Sequence, residues 1–268
     1  MVAIRDQIQL GRNIVLDFAN CGKLSLNAMV FLGALASLVR HHGGSIGIGP
    51  AIKPKLLKEL REHGIMSHLE TADVGAGLPF GHYANIDKSA IMQFLQEKWL
   101  GGGAVRLSED VQASIMGAVW EVYANAFEHA NSLIGIVNCS SFDRTHKRLH
   151  LAVVDLGVGI PTNVRTFFSG RTIGAVPAMK WAFAEGRSTK AEAVGYSRGL
   201  GLAVLKEFIQ LNGGFMEVYS NDGYVKISKD NEVYRSRSCG FGGTLVSIVL
   251  SADERFYYYA YEASKYGQ

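Results

Sequence analysis

In the stretch EVYANAFEHA, Glu121, Asn125 and His129 recur every fourth residue. On an α-helix that spacing puts them in one stripe, together with Glu128. A carboxylate in such a stripe can orient or deprotonate a nucleophile, and an amide oxygen is a hard ligand suited to Mg²⁺. On the helix alone the same stripe also reads as a solvated face. Three further stretches bear on the choice. HLAVVDLGVGIP is an apolar run that ends in Asp155, followed by Gly157 and Gly159, which remove side chains beside the carboxylate so that a flat ligand can approach. SRGLGLAVLKEF opens a helix with Gly199, Leu200 and Gly201, where free amides and the positive dipole end favour phosphate. GFGGTLVSIVL starts a strand at Gly242, Gly243 and Thr244, which in isolation reads as a hairpin turn. No third glycine completes a Rossmann fingerprint, and no GxxxxGK[ST] phosphate loop occurs.

These residues need elements to hold them. A long helix is expected from an N-cap at Ser108 to about Ala130, with Glu109 and Asp110 set against its dipole. Ile115, Val119, Val122 and Ala126 form its apolar face, widened by Trp120, Tyr123 and Phe127. Strands are expected around LIGIVNCSS and RLHLAVVDL, then a long glycine-punctuated connection, the helix GLAVLKEFIQLN, and four short strands, GFMEVYSN, YVKISK, EVYRSR and GTLVSIVLS. Before them come a short strand at LPFGHY and a helix over DKSAIMQFLQEKWL, stopped by Gly101 to Gly103. The N-terminal block reads as strand NIVLDF, a helix from Ser25 or Asn27, strand SIGIG and a helix from Pro54, with Gly43 and Gly64 as C-caps. That is a βαβα unit with parallel strands. The expected division is 1–74, 75–252 and an aromatic tail, 253–268, whose rings either pack on the body or offer a partner surface.

The chain has 268 residues, 48% of them hydrophobic and 19% charged, enough to bury a substantial core. A net charge of +3 without a basic run gives nucleic acid no electrostatic footprint. The apolar stretch AMVFLGALASLV is too short to span a bilayer, and MVAIRDQIQLGRN carries charges where a signal peptide needs an apolar core, so a soluble cytoplasmic protein without a membrane partner is expected. Cys21, Cys139 and Cys239 are scattered, as buried small hydrophobes would be. The eight histidines show no close metal spacing.

In order and spacing, E-x-x-x-N, D-x-G-x-G, G-x-G-L and G-G-T resemble the GHKL superfamily, the ATP-binding fold of DNA gyrase B, the large heat-shock chaperones, histidine kinases and mismatch-repair MutL. The resemblance implies an α+β protein whose residues 75–252 form a two-layer α/β sandwich of the Bergerat type, with a mostly antiparallel sheet. It implies ATP and Mg²⁺ as cofactors, Asn125 on the metal, Glu121 as general base, and Asp155 accepting from the adenine amino group. Gly157 and Gly159 would shape the adenine pocket, Gly199, Leu200 and Gly201 would meet phosphates, and Thr244 would support Asp155. His129 falls where the family carries a basic residue near the phosphates. Residues 160–198 would be the ATP lid, with Arg165, Arg171, Lys180, Arg187, Lys190 and Arg198 against Glu185 and Glu192, and Arg198 nearest the glycines.

The N-terminal block resembles a STAS domain, the anti-sigma-antagonist fold, over about fifty residues. Ser25 stands either as a phosphoacceptor or as a helix cap, and an ungapped match puts Leu26 at the acceptor position. Three functions remain open: an ATP-hydrolysing regulatory protein that acts on a protein partner through its N-terminal block, an anti-sigma-type serine kinase of a partner, and a non-catalytic nucleotide-gated module. A homodimer is also left open. No phosphoacceptor helix hairpin precedes the ATP-binding motifs, which disfavours histidine autokinase activity.

Overall fold

The computed structural model describes residues 11–71, 78–169, 171–184 and 200–266. Its centre is a five-stranded antiparallel sheet in the order β3-β5-β6-β8-β7, formed by Phe80–Tyr83 (β3), Ile136–Asp143 (β5), Arg148–Asp155 (β6), Phe215–Ser228 (β7) and Asn231–Ser251 (β8). One face carries α4 (Lys88–Phe94, continued by a π-helical turn, Leu95–Leu100), α5 (Glu109–His129) and α8 (Leu200–Asn212). Residues alternate across the sheet as the pleat requires. Leu151, Val153 and Asp155 face α5, whereas Ala152 and Val154 face the other way.

The second face is also covered. Ile14–Leu16 (β1) and Ile46–Ile48 (β2) pair in parallel, joined by α1 (Leu26–His41), and α2 (Pro54–Glu62) and α3 (Ile65–Thr71) follow. Pro54 stands in the first turn of α2, and Gly43 and Gly64 take positive φ after the C-caps. The Ser25 hydroxyl caps α1, accepting from the Ala28 amide at 3.2 Å. The boundary expected near residue 75 lies outside the described residues. On either side of it the blocks share one core: Met29, Val30, Leu56 and Ile65 pack with Phe80, Val137, Cys139, Ala152, Val154 and Leu245. The molecule is therefore a three-layer arrangement with helices on both faces, where a two-layer sandwich plus a preceding unit was expected. The physical reason is that Val137, Cys139, Ala152 and Val154, each 0% exposed, leave the second face as apolar as the first, and the apolar side of α1 closes it.

The C-terminal half adds detail to the expected elements. The four short strands are two long ones, a single hairpin bent at register shifts around Ser220, Asn221 and Gly223. The described part of the long connection contains α6 (Ile160–Phe167) and α7 (Ala175–Ala182). The tail packs on the body: β9 (Phe256–Tyr257) pairs in parallel with β4 (Arg106–Leu107), and a 3₁₀ turn (Ala260–Glu262) leads into α9 (Ala263–Tyr266). Buried Glu262 accepts from the Ser108 hydroxyl at 2.7 Å, and Tyr261 donates to Asp110 at 2.8 Å, so the tail clamps the start of α5. Cys139 is buried and Cys21 half-buried, but Cys239 is exposed on β8 rather than buried. Among the described residues no helix is long and apolar enough to cross a membrane.

Candidate functional site

A cavity of about 620 Å³ lies between α5 and the sheet, closed at its sides by α6, α7 and α8. Ser108 starts α5 as expected, its hydroxyl accepting from Val111 N at 3.3 Å. The buried face of the helix, including Ile115, Val119 and Tyr123, fixes its rotation, and the Tyr123 hydroxyl accepts from Asn138 Nδ2 at 2.6 Å. That rotation turns Glu121, Asn125, Glu128 and His129 into the cavity.

The floor is made by β6 and β8, where Asp155 and Thr244 are directly paired. Asp155 is 2% exposed. Burial pushes its carboxyl up to about 7, while hydrogen bonds from the backbone amides of Gly157 and Thr244 pull the other way. The Gly157 amide donates to Asp155 Oδ1 at 2.9 Å. Thr244 Oγ1 lies 2.9 Å from Ser220 Oγ.

The two glycines after Asp155 serve a closer neighbour than a ligand. A Cβ on Gly157 would stand 1.9 Å from the Ala130 carbonyl oxygen, and Gly157 does not line the cavity. Gly159 has φ +83°, and a Cβ there would meet the Asn221 amide at 2.6 Å. Gly157 lets the loop dock on the C-terminal end of α5, where Val158 N donates to Ala130 O at 2.8 Å and Asn163 Nδ2 to His129 O at 2.9 Å, and Gly159 lets it approach Asn221 on β7. Their part in shaping the pocket is thus indirect for Gly157 and direct only for Gly159.

Ser220 and Asn221 hold this loop from the other side, and no motif marked them. Ser220 Oγ accepts from Ile160 N at 2.7 Å and donates to Gly243 O at 2.9 Å. Asn221 donates to Val158 O at 3.0 Å and accepts from both the amide and the hydroxyl of Thr162. The one available signal was a polar pair at the end of an apolar strand beside a glycine, YSNDG.

Gly201 approaches from α8. Its amide donates to Glu121 Oε1 at 3.2 Å, across 80 residues of sequence, and a Cβ on it would stand 2.5 Å from the Glu121 carboxyl carbon. Glu121 therefore holds an amide of the turn that the sequence assigns to phosphate. Arg198 and Gly199 lie outside the described residues, as do Arg187, Lys190, Glu185 and Glu192, and Leu200 is the first residue of α8. Of the described basic residues between α5 and α8, Arg165 is tied to Ile173 O at 2.7 Å and Lys180 lies 5.8 Å over the Tyr234 ring.

Two lysines that carried no motif line the cavity. Lys206 donates to Phe183 O at 3.2 Å and pairs with Glu232 at 2.9 Å. Lys88 lies 5.4 Å over the Trp120 ring and makes no ion pair among the described residues. The described residues hold no cluster of three or more His, Cys, Asp or Glu that could bind a metal alone. A scan of the chain against protein-family models finds no match, and no curated protein matches it.

Proposed function

We propose that the chain is a GHKL-type protein that binds ATP with Mg²⁺ in the cavity under α5 and hydrolyses it, as a regulatory protein whose N-terminal block meets a protein partner. One observation carries this reading: Glu121 and Asn125 from one motif, Asp155 from a second and Thr244 from the fourth line a single cavity, and Gly201 from the third donates to Glu121 beside it. Asp155 sits beside the C-terminal end of α5 and Gly201 beside Glu121. The nine residue steps from Glu121 to Ala130 span roughly 14 Å at about 1.5 Å each, the scale of an extended nucleoside triphosphate.

Each end suits its part of the nucleotide. A buried carboxylate is a specific acceptor for an exocyclic amino group, and the apolar floor of Val153, Met216 and Val246 suits a flat ring. At the far end, Lys88 brings a positive charge with no ion-pair partner among the described residues, and Glu121, which accepts from the Gly201 amide, brings a carboxylate that can position a nucleophile. Mg²⁺ keeps several waters and takes few protein ligands beside substrate phosphates, so a donor set as small as Asn125, one turn from Glu121, fits it. When bound, the ion would neutralise phosphate charge.

The experiment measures Mg²⁺-dependent ATP binding and phosphate release for the wild type, Asp155→Asn and Glu121→Ala. The expected result is loss of binding in the first variant, and loss of turnover with binding retained in the second. Binding unaffected by Asp155→Asn sinks the site assignment, and label from γ-phosphate appearing on protein instead of in solution replaces hydrolysis with kinase activity.

A further inference from the structure

The far half of the β7–β8 hairpin takes no part in the cavity floor. It is folded back on the near half at Asn221 and Gly223, so that residues seven to eleven places apart along β7 meet. The Tyr224 hydroxyl donates to Glu217 Oε1 at 2.8 Å, Lys226 pairs with Glu217 at 3.4 Å, and the Lys226 ammonium lies 4.5 Å over the Phe215 ring. Val225 and Ile227, both 0% exposed, anchor the same segment in the core. The fold-back leaves an open surface hollow of about 270 Å³ lined by Tyr219, Tyr224, Arg235, Ser236 and Arg237.

The charges around it do not balance locally. Glu217 is committed to Lys226 and to the Tyr219 and Tyr224 hydroxyls. Glu232 is committed to Lys206 and Tyr234, and Asp222 faces Arg165 at 3.8 Å. Arg235 and Arg237 are exposed and have no carboxylate partner among the described residues. They are two apart on β8, which puts their Cα atoms roughly 7 Å from each other. The Arg237 guanidinium lies over the Tyr219 ring, 5.1 Å from its centroid, and the Tyr219 ring itself packs against Tyr224 at 5.0 Å. A guanidinium restrained in this way loses less rotamer entropy when it closes on an anion.

We propose that this hollow is a binding site for a phosphomonoester carried by a segment of a partner protein. Guanidinium forks match the oxygens of a phosphate, and one compact dianion can take both arginines of so short a stretch. A nucleic acid is less suited, because the Tyr219 face that a base would stack on is already covered by Arg237.

The test is fluorescence anisotropy of a labelled Gly-Gly-phosphoserine-Gly-Gly peptide with the full chain. Saturable binding is expected, with displacement by excess inorganic phosphate and none of it for the unphosphorylated peptide. Arg235→Lys and Arg237→Lys keep the charge but lose the fork, and each is expected to weaken binding at least about tenfold. Equal binding of both peptides, unchanged affinity in both lysine variants, or binding confined to a single-stranded oligonucleotide overturns the proposal. ATP binding by the same variants is expected to match the wild type, so loss of the phosphopeptide and loss of the nucleotide are separately read.

Discussion

Asp155 is the residue with the most to lose from its position. Its carboxyl, held up to about 7 chiefly by burial, stays protonated in the folded protein over a range in which the unfolded chain ionises it. Stability from this group is thus fully present below the unfolded value, near 4, and is lost as pH rises to about 7. Asparagine has no proton to give up, so the melting temperature of Asp155→Asn relative to wild type should climb between pH 4 and 7 and level off above. A difference flat across that window would mean that Asp155 is not desolvated as described. Binding of the proposed nucleotide runs the opposite way, since its donor amino group needs the ionised carboxylate: nucleotide affinity of the wild type should rise with pH up to about 7. The acid itself was legible in the sequence because an apolar strand ending in Asp before two glycines is an uncommon pattern. Ser220 and Asn221, which hold the loop after it, were not, because serine and asparagine at a strand end are ordinary and only the fold gives them partners 60 residues away.

Among the elements, those with local signals were the readable ones. Ser108 at the head of α5, Pro54 in the first turn of α2 and the glycines after α1 and α2 each act within a few residues, so sequence alone marks them. What α1 packs against was not readable, because an apolar helix face does not name its partner. The answer lies in Gly33, where a Cβ would stand 2.6 Å from the Phe80 ring. That glycine lets α1 come down onto β3 and β5, with Phe80 2% exposed and unable to swing into solvent. Gly33→Val should cost about 1–3 kcal/mol by overpacking, seen as a lower urea midpoint, while Gly43→Val, whose site faces open space, strains only its positive φ. A Gly33→Val protein as stable as wild type would mean that α1 does not press on the sheet.

At the scale of the whole molecule, β6 and β8 carry two functions on alternate residues. Asp155, Thr244 and Val246 face the cavity, and Val154 and Leu245, their immediate neighbours, face α1 and its companions. The cavity floor is one strand thick, so the N-terminal helices lie directly beneath it, and anything that shifts them shifts the floor. This sharing also bears on where the chain can be cut. A fragment of residues 75–268 would bare Val137, Cys139, Ala152, Val154 and Leu245, each at most 5% exposed in the intact chain. An apolar sheet face of that kind seeks another cover, in the first instance a second fragment. The fragment should therefore associate or precipitate in sedimentation and should lose nucleotide binding, whereas adding residues 1–74 as a separate chain should restore a soluble complex. A monomeric fragment with wild-type melting temperature would instead establish the two blocks as independent units. The first outcome would make the N-terminal helices part of the proposed nucleotide site's scaffold, through which the proposed partner, bound on their outer side, would press on Asp155 from below.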